Sequence, residues 1–544
     1  MRSNFLSISL ALLIAALCLP LRSPAQNSAP AQDGTFRIAG TVVSKSDGHP
    51  LANARVILAS VKARQSPQSV ITSDDGKFEF TGMPAGKYSL TGAKRGFTTS
   101  SYDQHYIFST AIVTGAGLDT EQLVLKLAPQ AIISGRVLDE VGEPVRDAQV
   151  SLYRDSQFDG THQIITLRGS QTNDLGEFEV RDLAPGTYFL SARAHPWYAV
   201  HPQLGRGQTP ADFDRSLDVA YPITYYNNAI EPDSATPITV QGGEHLQFDF
   251  HLNPVPSLHV IIHVPEIGKE QFPFPQLEQP AIDGNAPVIG IETRMIKPGT
   301  LELSGIPAGK YDLRLMGQNT TRIGGVELDS TTQELDTSTA EPMCSLSVSI
   351  VFEDGNPPGQ YGIVLRGKSA RLTPGRNFDS KGQAKFENIA PGRYEIALVG
   401  EGTRFTVGRM QADGASITGH SITLTAGSSA SLSISGIRGS AEIQGVAKQA
   451  GKAFAGAMVV LVPRNPEGNR DLFRRDQSDL DGTFGFHNVV PGSYTAVAIE
   501  DGWDLDWSQP ELISAYAKRG VAIVVATKPD QNLNLSRAVE VQEK

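Results

Sequence analysis

One spacing, which recurs five times, constrains the fold of this chain more than any other feature of its sequence. A glycine lies twelve residues before a tyrosine at five places along the 544 residues. The five pairs are Gly76 and Tyr88, Gly176 and Tyr188, Gly299 and Tyr311, Gly382 and Tyr394, and Gly482 and Tyr494. Because chance does not preserve one spacing five times, the sequence predicts an internal repeat of a single folding unit.

Each copy of the repeat has the pattern of a strand followed by a corner. The glycine closes a tight turn that needs a positive φ. An apolar–polar–apolar strand follows, such as Phe78-Glu79-Phe80, whose alternate side chains point into one core. A Pro-Gly turn then reverses the chain, and the tyrosine begins the next strand.

We predict a structural role for the five repeat tyrosines, with a buried ring and a hydroxyl that bonds to upstream backbone, as in Greek-key sandwiches. The alternative is that these rings form an exposed stripe that binds a ligand. These tyrosines are Tyr88, Tyr188, Tyr311, Tyr394 and Tyr494.

Further apolar strands precede most copies, so each unit is long enough for a two-layer module. The sequence therefore predicts an all-β chain of tandem immunoglobulin- or transthyretin-like β-sandwich modules behind a signal peptide. We number the modules 1 to 5, and modules 3 and 4 are degenerate in their opening strands. Their predicted boundaries are residues 33–128, 129–254 (which includes a loop-rich excursion), 255–341, 342–438 and 439–544.

The first 25 residues have the pattern of a secretory signal peptide. Arg2 precedes an apolar run over residues 6–21, and small residues, Ser23 and Ala25, suit a peptidase that cleaves after Ala25. The alternatives are a membrane anchor, for which the run is short and broken by Pro20, and a lipid on Cys18. We expect an exported protein that is periplasmic, outer-membrane-associated or extracellular, with no transmembrane segment in the mature chain.

Composition narrows the class of protein further. Only Cys344 would remain after cleavage, so no internal disulfide can form and the modules must be held by their apolar cores. The net charge of −11 argues against a nucleic-acid partner, because no basic stripe is available to bind phosphates.

The repeat resembles the carboxypeptidase regulatory-like domain. The matching residues in module 2 are Ile133, Gly135, Val137, Gly142, Pro144, Ala148, Val150, Gly176, Phe178, Val180, Pro185, Gly186 and Tyr188. The resemblance implies a transthyretin-like, or prealbumin-like, β-sandwich that is related to CnaB-type modules and to carbohydrate-binding-like folds. It does not imply peptidase activity, because in metallocarboxypeptidases this module is attached to a separate catalytic domain.

No motif of an enzyme is present, so we expect no catalytic residue, no cofactor and no metal site. His-Glu-x-x-His, Gly-x-Ser-x-Gly and the Gly-x-Gly-x-x-Gly dinucleotide fingerprint are all absent. His259 and His263 lie on one face of a predicted strand, but no third ligand is evident. Asp476, Asp479 and Asp481 resemble part of a calcium loop but lack its spacing and its closing carboxylate.

Two groups of aromatic residues are the candidates for binding. They are Trp197, Tyr198, Tyr225 and Tyr226 in the excursion of module 2, and Trp503 and Trp507 beside several aspartates in module 5. Such rings suit sugar stacking, and the alternative is that they pack against their own sandwich.

We therefore keep two functions open. The first is a non-catalytic envelope protein that acts as a scaffold or protein-interaction module. The alternative is a carbohydrate-binding protein that uses the aromatic loops. The partner is accordingly an envelope protein or a polysaccharide.

Overall fold

The fold of the described residues is built from β-strands, which confirms the predicted all-β class. The computed structural model describes residues 35–544 apart from residues 63–65, 116, 158–159, 203–212, 265–272, 318–319, 331, 333, 353–354, 356–359, 368–374, 401–404 and 528–530. The predicted signal peptide and Cys18 lie outside these residues. The described residues contain one α-helix, Pro510–Ala517, and no helix in them is long and apolar enough to cross a bilayer.

Module 1 is a sandwich of two sheets. Its strands are β1 (Phe36–Ser44), β2 (Arg55–Ser60), β3 (Gln68–Ile71), β4 (Lys77–Met83), β5 (Gly86–Ala93), β6 (Ser100–Ser101), β7 (Ile112–Thr114) and β8 (Leu123–Leu127). One sheet has the order β4-β1-β8, and the other has the order β3-β2-β5-β6 with β7 also paired to β5. Alternate side chains from both sheets bury one apolar core.

Module 2 repeats this arrangement and adds the excursion. Its strands are β9 (Ala131–Leu138), β10 (Gln149–Ser156), β11 (Gln163–Gln171), β12 (Glu177–Leu183), β13 (Gly186–Arg193), β14 (Val219–Ala220), β15 (Thr224–Tyr225), β16 (Ile238–Val240), β17 (His245–Gln247) and β18 (Phe250–His251). The sheets are β12-β9-β17, with β18 on β9, and β11-β10-β13-β15, with β16 on β13. The excursion also contains two 3-10 turns, Arg215–Leu217 and Pro232–Ser234.

Modules 3 and 4 are also two-sheet sandwiches, although their opening sequences are degenerate. Module 3 has the sheets β23-β24-β20-β27 and β22-β21-β25-β26-β28. Its strands are β19 (Val255–Pro256), β20 (Leu258–His263), β21 (Phe274–Ala281), β22 (Gly284–Pro287), β23 (Glu292–Lys297), β24 (Thr300–Ile306), β25 (Gly309–Met316), β26 (Thr321–Leu328), β27 (Glu334–Leu335) and β28 (Glu341–Pro342), with a 3-10 turn at Thr337–Thr339.

Module 4 has the sheets β32-β29-β37-β34 and β31-β30-β33-β36-β35. Its strands are β29 (Cys344–Phe352), β30 (Tyr361–Arg366), β31 (Arg376–Asn377), β32 (Gln383–Ile389), β33 (Gly392–Gly400), β34 (Phe405–Asp413), β35 (Ser416–Thr418), β36 (Ser421–Leu424) and β37 (Ser429–Arg438). Cys344 is buried in the core of this module.

Module 5 differs because one strand joins its two sheets. Its strands are β38 (Ala441–Gln449), β39 (Lys452–Ala453), β40 (Met458–Pro463), β41 (Arg474–Gln477), β42 (Thr483–Val489), β43 (Gly492–Ile499), β44 (Val521–Val525), β45 (Asn532–Asn534) and β46 (Val539–Gln542). Strand β46 pairs in parallel with both β38 and β43. Helix α1 (Pro510–Ala517) and the 3-10 turns Arg470–Leu472 and Gly502–Asp504 complete the module.

The apolar sequence of β40 explains a second core layer in module 5. All six residues of this strand are buried, since one face packs into the sandwich and the other meets a separate apolar cluster. A strand that is covered on both faces needs such a continuous apolar run.

The corner of each repeat carries the chain from one sheet to the other. In module 1, for example, β4 pairs with β1, whereas β5 pairs with β2 in the opposite sheet. In all five copies the tyrosine hydroxyl donates to the carbonyl oxygen four residues upstream, at 2.5 to 3.0 Å. This bond fastens the corner to the strand that follows it.

Candidate functional site

The aromatic residues of module 5 lie in a buried layer on the outer face of its sandwich. Only 6% of Trp503 and 8% of Trp507 is exposed, and both rings pack with Phe473 and Ile513. Trp503 also donates from Nε1 to the carbonyl of Gly456 at 3.2 Å. These two rings therefore offer almost no free surface in this conformation.

A loop of module 1 covers the same layer. The ring of His105 stacks on Trp503, with centroids 4.7 Å apart and planes only 6° from parallel. The guanidinium of Arg475 lies 4.8 to 5.5 Å from the ring centres of Tyr106, Phe108, Trp503 and Trp507. Aromatic faces attract a cation at these distances. Burial lowers the pKa of Arg475 to about 10, so the side chain is still charged at neutral pH.

A polar network lies beside the aromatic layer and joins the same two modules. Lys87 Nζ of module 1 lies 2.5 Å from a carboxylate oxygen of Asp479 in module 5. The other Asp479 oxygen accepts from the backbone N–H of Ala111 at 2.9 Å. Buried Gln477 donates to Thr110 Oγ1 at 2.8 Å. We call this contact, between residues 87 and 102–111 of module 1 and residues 475–483 and 503–507 of module 5, the closing interface.

Module 2 also reaches the edge of the closing interface. The amide of Gln157 donates to the carbonyl of Asp504 at 2.6 Å, and Ser508 N–H donates to the carbonyl of Gly160 at 3.2 Å. A Cβ atom at Gly160 would lie 2.6 Å from the ring of Trp507. This position therefore needs a glycine, because a side chain would push the modules apart.

The aspartates that resembled a calcium loop have separate partners. Asp479 belongs to the closing interface, Asp481 bonds to Thr483, and Asp476 accepts from the N–H of Gly485 at 2.7 Å. Among the described residues, these three do not form a group that could hold a metal ion.

Trp197 is the exposed member of the aromatic set in module 2. About 86% of it is accessible, and its ring meets Tyr198 edge-on at 5.9 Å. The hydroxyls of Tyr198 and Tyr221 both donate to the carboxylate of Glu140. Partial burial disfavours the charge on Glu140, but these two hydrogen bonds outweigh it and lower the pKa of the carboxyl. Trp197 thus lies beside a tyrosine whose hydroxyl is bound to this carboxylate.

The other two predicted residues of module 2 lie inside the protein. Tyr225 is fully buried, and its hydroxyl accepts from the N–H of Ile282 in module 3 at 3.3 Å. Tyr226 is half-buried and packs edge-on against Phe248 at 4.6 Å. The structure thus separates Trp197 and Tyr198 from Tyr225 and Tyr226.

A cluster of histidines and carboxylates lies where module 2 meets module 3. Asp218 is 2.8 Å from His201 Nδ1 and, through its other oxygen, 2.8 Å from His259 Nε2. His259 Nδ1 lies 3.1 Å from Glu302. Burial opposes ionisation of Asp218, but the histidine contacts outweigh it and lower its pKa to about 2. His263 lies apart from this cluster, is half-exposed and pairs with Glu334.

The comparison with family models identifies the first two modules. Residues 37–121 and 132–253 match the model described as the carboxypeptidase regulatory-like domain. Modules 1 and 2 are thus similar to carboxypeptidase regulatory-like domains. The resemblance seen in the repeat is thereby confirmed for these two modules.

Solved structures that match parts of this chain include proteins from three bacterial species. The TIE protein of Bacillus anthracis is 11% identical, with 74% of this chain and 73% of that chain covered and a TM-score of 0.18. A minor pilin of Streptococcus agalactiae is 14% identical, with 43% and 100% covered and a TM-score of 0.21. The shaft pilin SpaA of Lactobacillus rhamnosus GG is 12% identical, with 41% and 98% covered and a TM-score of 0.18. No curated protein shows a significant sequence match to the chain.

Sequence reasoning missed the residues that connect the regulatory-like domains to their neighbours. His201, Asp218 and Arg475 belong to no local motif, and their partners lie tens to hundreds of residues away. The one sequence signal for these contacts was His259, because an ionisable ring on an otherwise apolar strand indicates a buried polar contact.

Proposed function

We propose that this chain is an exported, non-catalytic protein of the cell envelope that acts as a scaffold for a protein partner. The closing interface carries the proposal, because aromatic and polar groups that could line a ligand cleft pack against another module instead. A scaffold must hold its surfaces at fixed positions, and the closing interface, together with the contacts of Gln157 and Gly160, holds module 5 against modules 1 and 2. The signal-peptide pattern of residues 1–25 supports export.

Export is tested by fractionating cells that produce the full chain. We expect the protein in the envelope or the medium, with a mature N-terminus at Gln26 on mass spectrometry. An uncleaved chain in the cytoplasmic fraction would contradict this part of the proposal.

The scaffold role is tested by cross-linking in intact cells. An amine-reactive reagent should join the chain to one protein partner at fixed stoichiometry, and linked peptides should map to one face of the molecule. Cross-links that are confined to the chain itself would count against a protein scaffold.

A second function, carbohydrate binding, is favoured by one observation. Trp197 is largely exposed and meets Tyr198, whose hydroxyl bonds to Glu140, and an exposed planar ring with polar groups nearby can stack on a sugar. We would measure retention of the chain on insoluble polysaccharides and on peptidoglycan. Saturable retention that is lost in Trp197→Ala would favour this function.

Leu175→Ala is the matched control for that experiment. It removes an exposed apolar side chain from a turn of the same regulatory-like domain. Equal loss of retention in both variants, or no retention of the wild-type chain, would exclude a sugar site at Trp197.

A further inference from the structure

The cluster of His201, Asp218 and His259 lies at a rigid junction between two modules. His201 and Asp218 belong to the excursion of module 2, whereas His259 lies in strand β20 of module 3. Strand β14, which follows Asp218 directly, pairs with β19. Ser257 N–H also donates to the Asp218 carbonyl at 2.9 Å. The backbone therefore fixes these side chains opposite each other.

The cluster is shielded from water. The side chain of His201 is 0% exposed, that of Asp218 is 14% exposed and that of His259 is 9% exposed. Among the described residues, the ion pairs of Asp218 are made with the two histidines. His201 Nε2 is buried and has no hydrogen-bond partner in this structure. Such a concentration of buried polar groups is costly unless a further interaction compensates for it.

The ligand atoms are close enough to share one ion. One atom from each of His201, Asp218 and His259 can be chosen so that all three lie within 4.8 Å of one another. In a tetrahedral zinc site, bonds of about 2.0–2.2 Å place the ligand atoms about 3.3 Å apart. The two contacts of 2.8 Å, which are made by different oxygens of Asp218, would open by about 0.5 Å to reach that spacing, and the two imidazole nitrogens, which lie within 4.8 Å of each other, would take up the same spacing.

Glu302 supplies what a zinc-binding histidine needs on its other nitrogen. Its carboxylate is 2% exposed and lies 3.1 Å from Nδ1 of His259, on the side of the ring away from Asp218. A carboxylate in this position fixes the tautomer and the orientation of the ring. Two imidazoles and one carboxylate suit zinc, whereas calcium and magnesium prefer sites made of oxygen ligands.

We propose that His201, Asp218 and His259 bind one zinc ion that cross-links module 2 to module 3. His259 binds through Nε2 and is oriented by Glu302. Three protein ligands leave one tetrahedral position for water. The ion joins His259 to Asp218, which lies 41 positions earlier in the sequence, so it holds the excursion of module 2 against strand β20.

The test uses the full chain, purified without a histidine tag and stripped with a chelator. Titration with zinc against a chromophoric competitor should show one saturable equivalent, which also raises the thermal midpoint. Asp218→Asn and His259→Gln should abolish this equivalent. Glu302→Gln should weaken it about 10- to 100-fold, because Glu302 acts through His259.

His263→Gln is the matched control, since it changes a histidine of the same strand outside the cluster. It should retain the wild-type affinity for zinc. If the wild-type chain binds no saturable equivalent of zinc, or if His263→Gln loses zinc binding as fully as the cluster variants do, the proposed site is wrong. The cluster would then be only a hydrogen-bonded contact between modules 2 and 3.

Cobalt provides a second measurement that does not depend on whether the variants fold. The stripped wild-type chain loaded with one equivalent of Co²⁺ should show the intense visible bands of a tetrahedral site. The weak spectrum of an octahedral ion would also overturn the proposal.

Discussion

In each repeat, the next-to-last residue of the strand that leads into the corner (β4, β12, β24, β32 or β42) has a left-handed backbone. Its φ lies between 54° and 79° in all five copies, and a register shift in the ladder accompanies it every time. Only glycine, asparagine and aspartate adopt this conformation readily. The five residues are Gly82, Asp182, Gly305, Asn388 and Asn488. Each copy therefore contains a β-bulge at the place where the chain leaves its sheet.

Asn388, which is exposed, offers a clean test of this bulge. Replacement with valine should destabilise module 4 by about 1–3 kcal/mol, because a β-branched residue is strained at positive φ. Hydrogen exchange of peptides from β32 and β33 would measure the loss. Asn388→Gly is the control and should leave exchange near the wild-type rate; equal effects of both variants would refute the argument from strain.

The sequence predicted the turn glycine at residue scale but not the bulge. Gly76 and its equivalents were found because one residue type fills all five copies. The bulge position varies among three residue types, and they share only a tolerance of left-handed backbone. A pattern defined by residues that tolerate positive φ, rather than by one residue type, would have revealed the bulge position.

At the scale of elements, strand β41 contains an acid, Asp476, whose charge is disfavoured. Burial raises the pKa of Asp476 to about 6, although its carboxyl accepts from the N–H of Gly485. The folded state therefore binds the proton of this carboxyl more tightly than the unfolded chain does. Its contribution to stability is complete below the unfolded pKa of about 4 and is lost as the pH rises through about 6.

Asp476→Asn should therefore raise the thermal midpoint at about pH 8 and have little effect at about pH 4. The amide keeps an acceptor for Gly485 and carries no charge. Thermal unfolding of both proteins across this range would measure the difference. A variant that is less stable than the wild type at about pH 8 would show that the carboxylate is favourable there.

Individual strands were more predictable than the contacts between modules. Alternation of apolar residues and turn glycines are local signals, so the fold class and the regulatory-like domains could be recognised from sequence. Lys87 and Asp479 are separated by 392 residues, and no local pattern reports such a pair. The same reason explains why Trp503 could be named as a candidate while its burial against His105 could not be foreseen.

At the scale of the whole molecule, the closing interface couples the first module to the last. A simple string of independent modules would lack the stacked rings, the Arg475 cluster and the buried Gln477 network. We therefore expect module 5 and module 1 to stabilise each other.

Trp503→Ala should lower the stability of module 5 by about 3–5 kcal/mol, since it removes a buried ring. Hydrogen exchange should also increase in the loop of residues 102–111, with little change in module 4. Trp197→Ala changes an exposed tryptophan and should alter stability by less than about 0.5 kcal/mol. Faster exchange in module 5 alone would show that the interface does not couple the modules.

The closing interface also has a mechanical consequence. If tension were applied between module 1 and module 5, the shortest load path would run through Lys87, Asp479 and the stacked rings. The intervening length of chain, residues 129–438, would remain slack until these contacts separated. The contacts of Gln157 and Gly160 with module 5 would then bear the load, and their separation would release the rest of this length.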